Sequence, residues 1–385
     1  MLVIENGMVL RGRDLKPEKV NLIIEDDHIQ EITKKKVLCK NKIDASGSIV
    51  LPSLINSHTH IGDSVAMDVG DGKNIDEIVK PPNGLKHQIL SETSSSDLIE
   101  FMKISMWEML DTGTTTFIDY REGGVEGVKL LQNASKDIPI NKIVLGRDPI
   151  MFNPDAEEKE TRSAVKNLLK YCDGIAPSGF GEITDQTAGI ITEECAKKEK
   201  IASIHVAEHE KVQKESLDKT GKSEVERAIK SGFKLLVHLT YPQKKDIGLI
   251  YSSNASVVCC PRSNGILSVG IPPLKNMVSN NLNLLLGTDN LMFNSPNMFR
   301  EMDYALKMAR GFSKEYLSPL EILKMATTNF SAIMGQNIGI IQEGSVADIM
   351  VVNKLSKNPW LSIINRTESK NIIYLIRKGK IVYMR

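Results

Sequence analysis

"SLINSHTH", Ser53 to His60, is an apolar run that ends in two histidines one residue apart. Strand residues at i and i+2 share a face, so His58 and His60 can reach one ion. An isolated His-x-His is more often a pair of satisfied polar residues at a strand end, because short motifs match by chance. The rest of the chain has to decide between the two.

Next comes "SSSDLIEFMKISMWEMLDTG", a helical pattern with a Ser/Asp start and a glycine end. Then come "TTTFIDY", "NKIVLGRDP", "CDGIAPSG", "IASIHVAE", "FKLLVHLT", "ASVVCCP" and "LNLLLGTDN". Most are separated by helical stretches such as "TAGIITEECAKKEK" and "GKSEVERAIKSG". With the opening run there are eight strand candidates, each followed by a crossover. The pattern predicts an α/β fold, a (β/α)8 TIM barrel. An open doubly wound sheet would want a glycine-rich phosphate turn after its first strand, and "SHTHIGD" is not one.

The two ends have another rhythm. "LVIENGMVL" and "NLIIEDDHIQEI" near the start, and "GSVADIMVVN" and "NIIYLIRKGKIVYMR" near the end, read as short strands and turns. Head and tail are expected to pair into one small β-sandwich domain. The expected division is 1–50 and 339–385 for that domain, with 51–338 as the barrel between them.

Composition narrows the class. The chain has 385 residues, 41% hydrophobic and 25% charged, with a formal net charge of +1. Such a balance favours neither nucleic acid nor an anionic membrane surface as partner. No apolar run approaches the roughly 20 residues that span a bilayer. No signal peptide is read at the N-terminus. The five cysteines show no framework spacing, which fits a reducing cytoplasm better than secretion.

Barrel chemistry sits at the C-terminal ends of strands. His58 and His60 end the first strand, His205 the fifth, His238 the sixth and Asp289 the eighth. Four of only seven histidines occupy such positions, which chance explains poorly. Three imidazoles and a carboxylate suit one divalent ion, zinc first and ferrous iron second, with a position open for water. Glu208, three residues past His205, is placed to shuttle a proton between water and substrate. His209 is expected beside the site or exposed, and Glu210 in solvent. Arg121 and Glu122 follow the second strand, Arg147 the third, and Arg262, Ser263 and Asn264 the seventh. Three arginines near one mouth would suit a carboxylate or phosphate on the substrate. Each alone is more often a salt-bridged structural arginine.

"SHTH", "HVAE", "VHLT", "CCPRSN" and "LGTDN", in this order, resemble the amidohydrolase superfamily. The likeness covers nearly the whole chain. It is nearest in style to the S-adenosylhomocysteine, guanine and aminodeoxyfutalosine deaminases and the triazine chlorohydrolases. The resemblance implies a mononuclear metal held by His58, His60, His205 and Asp289. It implies His238 beside the ion, Glu208 as the acid/base that protonates a ring nitrogen, and Asp289 as acceptor of a proton from water. Binuclear members carry a lysine at the end of the fourth strand. Here "CDGIAPSGFGEI" has none, and Ser178 is nearest to that position, so one ion is expected. A homodimer is a further expectation from the family.

The segment after the histidine pair, "IGDSVAMDVGDGKNIDEIVKPPNGLKHQILSE", departs from those deaminases. With Pro81, Pro82 and His87 it reads as a long loop that either shapes the pocket or lies in solvent. Candidate substrate contacts are therefore His87, Arg121, Arg147, Ser178, Arg262 and Asn264. The leading expectation is a metal-dependent hydrolytic deaminase of an aminated heterocycle, such as a purine, pterin or nucleoside derivative. Water activated by the ion would attack an amidine carbon and ammonia would leave. The alternative is another hydrolysis on the same site, of a cyclic amide, formimino group or halogenated ring. A catalytically retired barrel kept for binding is a third reading.

Overall fold

The structure, a computed structural model, describes residues 1–79, 84–334 and 337–384. Pro81 and Pro82 lie outside the described residues. The barrel strands are β1 (Leu54–His60), β2 (Thr114–Arg121), β3 (Asn141–Gly146), β4 (Gly174–Ile175) and β5 (Ile201–Val206). They continue as β6 (Leu235–His238), β7 (Ser256–Cys259), β8 (Asn283–Leu286) and β9 (Asp289–Asn290). All neighbours are parallel, in chain order from β1 to β8.

β8 and β9 together are the eighth strand of the expected barrel, and they close it. β8 pairs with β7, whereas β9 pairs with β1 through Asp289↔Thr59 and Asn290↔His60. Gly287 lies between them. A Cβ there would stand 2.6 Å from His58 Cβ and 2.7 Å from His58 N, so only glycine lets the two strands approach this closely.

Period-two alternation fills both faces of the ring. Ile118 and Tyr120, Ile143 and Leu145, and Leu235 and Val237 form one buried cluster inside it. Their neighbours Phe117, Val144 and Leu236 belong to the larger cluster under the surrounding helices. The helix read from "SSSDLIEFMKISMWEMLDTG" runs Ser95–Asp111. Ser94 caps it by accepting from Asp97 N, and Gly113 follows in the left-handed region.

Head and tail do pair. Ser48–Pro52 lies between the head strand Met8–Arg11, in parallel, and the tail strand Ile349–Asn353, antiparallel. Lys16–Lys19, Ile372–Arg377 and Lys380–Met384 complete a six-stranded sheet. A four-stranded sheet of Leu2–Glu5, Asn21–Glu25, His28–Thr33 and Lys42–Asp44 accompanies it. Ile4, Leu22, Val50 and Val351 are buried in one cluster of this small domain. Alternate residues of the same strands, Ile49, Leu51, Met350 and Val352, join the cluster of the barrel helices. One sheet therefore serves two cores.

The segment 61–92 is more regular than the long loop the sequence suggests. A 3-10 turn spans Ile61–Ala66, and helices span Ile75–Val79 and Leu85–Glu92. Among the described residues, no helix is long and apolar enough to cross a membrane.

Candidate active site

The ends of β1, β5, β6 and β9 bring four histidines and one aspartate together. The ring centres of His58 and His60 are 5.0 Å apart, those of His58 and His205 4.9 Å, and those of His205 and His238 5.2 Å. Asp289 Oδ1 lies 3.0 Å from His58 Nε2 and 3.5 Å from His60 Nε2. Ligand-type atoms of His58, His60 and His205, and likewise of His58, His238 and Asp289, all lie within 4.8 Å of one another. His238 and Asp289 both have positive φ, 75° and 60°, as does Ala207 at 49°. Left-handed backbone at non-glycine residues costs energy, of order 1–3 kcal/mol each, and clusters where geometry serves function.

Neighbouring groups fix the rings. His205 Nδ1 donates to the Ser178 carbonyl at 3.0 Å, which leaves its Nε2 lone pair free. Asn264 Nδ2 lies 3.2 Å from His238 Nδ1 and donates to it. The neutral His238 ring then carries its proton on Nε2, the nitrogen 3.6 Å from Glu208 Oε1. Ser263 Oγ donates to Asp289 Oδ2 at 2.6 Å. His58 Nδ1 and His60 Nδ1 are buried without a hydrogen-bond partner among the described residues.

Burial dominates the electrostatics. It lowers the pKa of His58 and His238, and drops His60 and His205 well below the usual histidine value, so these rings are neutral. For Asp289, burial pushes upward, but the His58 hydrogen bond and the neighbouring imidazoles of His238 and His60 hold the carboxyl well below its usual range. Neutral imidazoles around an ionised carboxylate are the donor set a divalent cation requires. Glu208 behaves oppositely. Burial, then the charges of Asp289 and Glu182, raise it to about 8. It holds a proton at neutral pH within reach of the same cluster.

The pocket over this cluster is lined by His60, Arg147, Ser178, His205, Glu208, His238 and Asp289, with Lys86, Glu182 and His209 beside them. Arg147, Gly181 and Glu182 also line an outer, more apolar chamber with Phe152, Pro149 and Ile183. Other sequence candidates lie elsewhere. His87 borders the outer chamber, its Nε2 3.0 Å from the Val79 carbonyl. Asn264 touches His238, and Glu210 is exposed as expected.

The three arginines do not converge as free cations. Arg121 follows Tyr120, which faces into the ring, so it points outward under the turn at Gly62. There it donates to Met102 Sδ at 3.4 Å and lies 3.6 Å from Asp119. Arg147 donates to Ser178 Oγ at 2.7 Å and pairs with Glu122. Arg262 lies 3.6 Å from Glu301 and donates to the Ser295 carbonyl at 3.2 Å. Each already has a carboxylate, the salt-bridged alternative, and the three do not assemble into an anion-binding trio.

Sequence reasoning missed Lys86, Asp63 and Glu182, and named Glu122 only as a pocket candidate at the end of the second strand. Lys86 Nζ sits 2.9 Å from Asp63 Oδ2 and 2.7 Å from Glu122 Oε1, next to the pocket. The only local signal was a polar residue in the segment that departs from the expected pattern.

Fold and site together define a TIM-type barrel protein with a histidine–carboxylate centre at the C-terminal mouth of its strands. The model of the amidohydrolase family matches residues 49–382. A relative from Methanothermobacter thermautotrophicus, provisionally named an aminohydrolase, is 58% identical over 99% of both chains. A 5-methylthioadenosine/S-adenosylhomocysteine deaminase of Pyrococcus abyssi is 29% identical, covering 100% of this chain and 94% of its own. Among solved structures, a zinc-bound adenosine deaminase of Xanthomonas campestris superposes with a TM-score of 0.86 at 18% identity, over 100% of this chain and 93% of its own. The guanine deaminase of C. acetobutylicum, with guanine bound, gives 0.82 at 19% identity, over 99% and 100%. The chain belongs to the amidohydrolase family, hydrolases that act on carbon–nitrogen bonds other than peptide bonds.

Proposed function

We propose that this protein is a metal-dependent hydrolytic deaminase of a small aminated heterocycle, a purine, pterin or nucleoside derivative. The observation that carries the reading is Glu208 Oε1, 3.6 Å from His238 Nε2 and in one pocket with His60, His205 and Asp289; desolvation there raises its carboxyl to about 8. Relatives named as nucleoside deaminases support it.

His58, His60, His205 and Asp289 would hold one divalent ion, zinc by preference and iron as the alternative. The fourth-strand segment has no lysine of the kind the resemblance implies for a two-ion centre, and Ser178 is nearest to that position. When bound, the ion supplies Lewis acidity and brings the pKa of water from about 16 towards about 7.

The chain's own groups do the rest. Asp289 Oδ1 accepts a proton from the attacking water. Glu208, in its acid form, protonates the ring nitrogen beside the amino-bearing carbon, passes the attacking oxygen's second proton to the leaving amine, and is restored by the proton held on Asp289. His238 Nε2–H polarises the attacked carbon's substituent, and Asn264 keeps that tautomer. The balance is simple: the water oxygen goes to carbon, one proton to the ring nitrogen and one to the departing ammonia. Arg147, Ser178 and His87 are proposed to border the substrate. The catalytic barrel is assigned to 51–338, with 1–50 and 339–385 forming the small domain.

The test is ammonia release by zinc-loaded protein across a panel of aminopurines, aminopterins and nucleosides. Release that tracks zinc content supports the reading. Turnover without ammonia would replace deamination by another hydrolysis, and no bound metal would remove the ion from it.

A further inference from the structure

The helix Leu85–Glu92 brings a lysine to the barrel mouth from outside the ring. Lys86 is 3% exposed, and its Nζ bridges Asp63 Oδ2 at 2.9 Å and Glu122 Oε1 at 2.7 Å. Asp63 lies on the turn after β1, and Glu122 directly after β2. Ligand-type atoms of His60, Asp63 and Glu122 all lie within 4.8 Å of one another. Asp63 is fully buried, and its other oxygen, Oδ1, has no hydrogen-bond partner among the described residues. Two carboxylates and an imidazole at this spacing are the donors of a cation site. Here the cation is the protein's own.

We propose that the Lys86 ammonium fills a second cation position, formed by Asp63, Glu122 and His60, and thereby holds the centre to one divalent ion. The inference rests on the reading that His58, His60, His205 and Asp289 hold the first.

Charge requires some cation there. The buried Asp63 carboxylate, stripped of its partner beside the part-buried Glu122, leaves uncompensated charge in a low-dielectric site. Arg147 also pairs with Glu122 but reaches on to Ser178, so among the described residues Asp63 relies on Lys86 for its ion pair. An ammonium has only N–H donors and cannot act as a Lewis acid. It neutralises the carboxylates and leaves the His60 ring to the first ion, whereas a divalent ion in its place would compete for that ring. Oxygen donors dominate the position, so a hard ion such as Mn²⁺ fits it, with water completing its shell.

The experiment loads wild type, Lys86→Met and Lys86→Gln with one equivalent of Zn²⁺. Each is equilibrated with Mn²⁺, and both metals are counted by elemental analysis, with manganese resonance spectra of the bound fraction. Circular dichroism shows which variants are folded, and the glutamine variant stands in if the methionine variant is not. The expected result is one zinc and no retained manganese in wild type, and one zinc plus one manganese in the variants. Adding Asp63→Asn to either variant should lose the manganese again. Folded neutral variants that retain no manganese, or a wild type that retains it, would overturn the proposal. A wild type that binds no zinc counts against the proposed function alone, because the manganese difference still reads the Lys86 position.

Discussion

Glu208, partly open to the pocket, and the fully buried Glu301 are both carboxyls raised to about 8, but they sit in different surroundings. Glu208 faces the pocket, so its proton is available for transfer. Glu208→Gln keeps the shape and loses the titratable proton. It should retain zinc and lose turnover by about 10²–10⁴-fold, and near-normal turnover would refute the shuttle role. Because the acid form is needed, kcat/KM should fall as pH rises through about 8. Glu301 lies away from the pocket lining, accepting the Arg262 backbone N–H at 3.1 Å. Burial raises it above the unfolded value, so the folded state binds the extra proton. Its destabilising effect is absent below about pH 4.5, grows as pH rises towards 8, and then levels off. Glu301→Gln should therefore raise Tm relative to wild type at pH 8 and much less at pH 5. A pH-independent difference in thermal scans would count against it. The residue types and strand-end addresses of His58, His60, His205, His238, Asp289 and Glu208 were legible in the sequence, because they follow apolar runs. The protonation of Glu208 was not, since it depends on burial by groups far away in the chain.

Among the strands, all eight runs were legible from apolar stretches and turn residues, although β4 pairs over only Gly174–Ile175. A strand end was visible, but which face of β2 points inward was settled by Tyr120 packing against His58, ring centres 4.0 Å apart. The join of β8 and β9 is tighter than any pattern implied. Gly287→Ala would push a methyl into His58 Cβ and backbone. Overpacking of this kind costs roughly 1–3 kcal/mol. The variant should show a lower Tm and weaker zinc retention than wild type, because it displaces both His58 and Asp289. Unchanged values for both in melting and metal-retention measurements would show that the strands can part without loss.

At the scale of the molecule, the barrel does not need the ion to close, since hydrogen bonds of β9 to β1 and the buried clusters do that. Chelation should therefore leave the far-ultraviolet dichroism intact while lowering Tm, and zinc should restore it. Ligand linkage gives about 2.7 kcal/mol when free zinc is 100-fold above its Kd. A Tm indifferent to chelation and zinc would speak against an ion at this centre. The sequence by itself determined the order of strands, the joining of head and tail, and the strand-end histidines, aspartate and glutamate. Those features are written in local periodicity, where a side chain's face follows from its neighbours. Tertiary structure alone decided that Arg121, Arg147 and Arg262 are each already paired, that Lys86 enters from a separate helix to meet Asp63 and Glu122, and that Glu208 keeps its proton. Charge pairing and burial depend on distances between residues remote in the chain, and no local pattern encodes them.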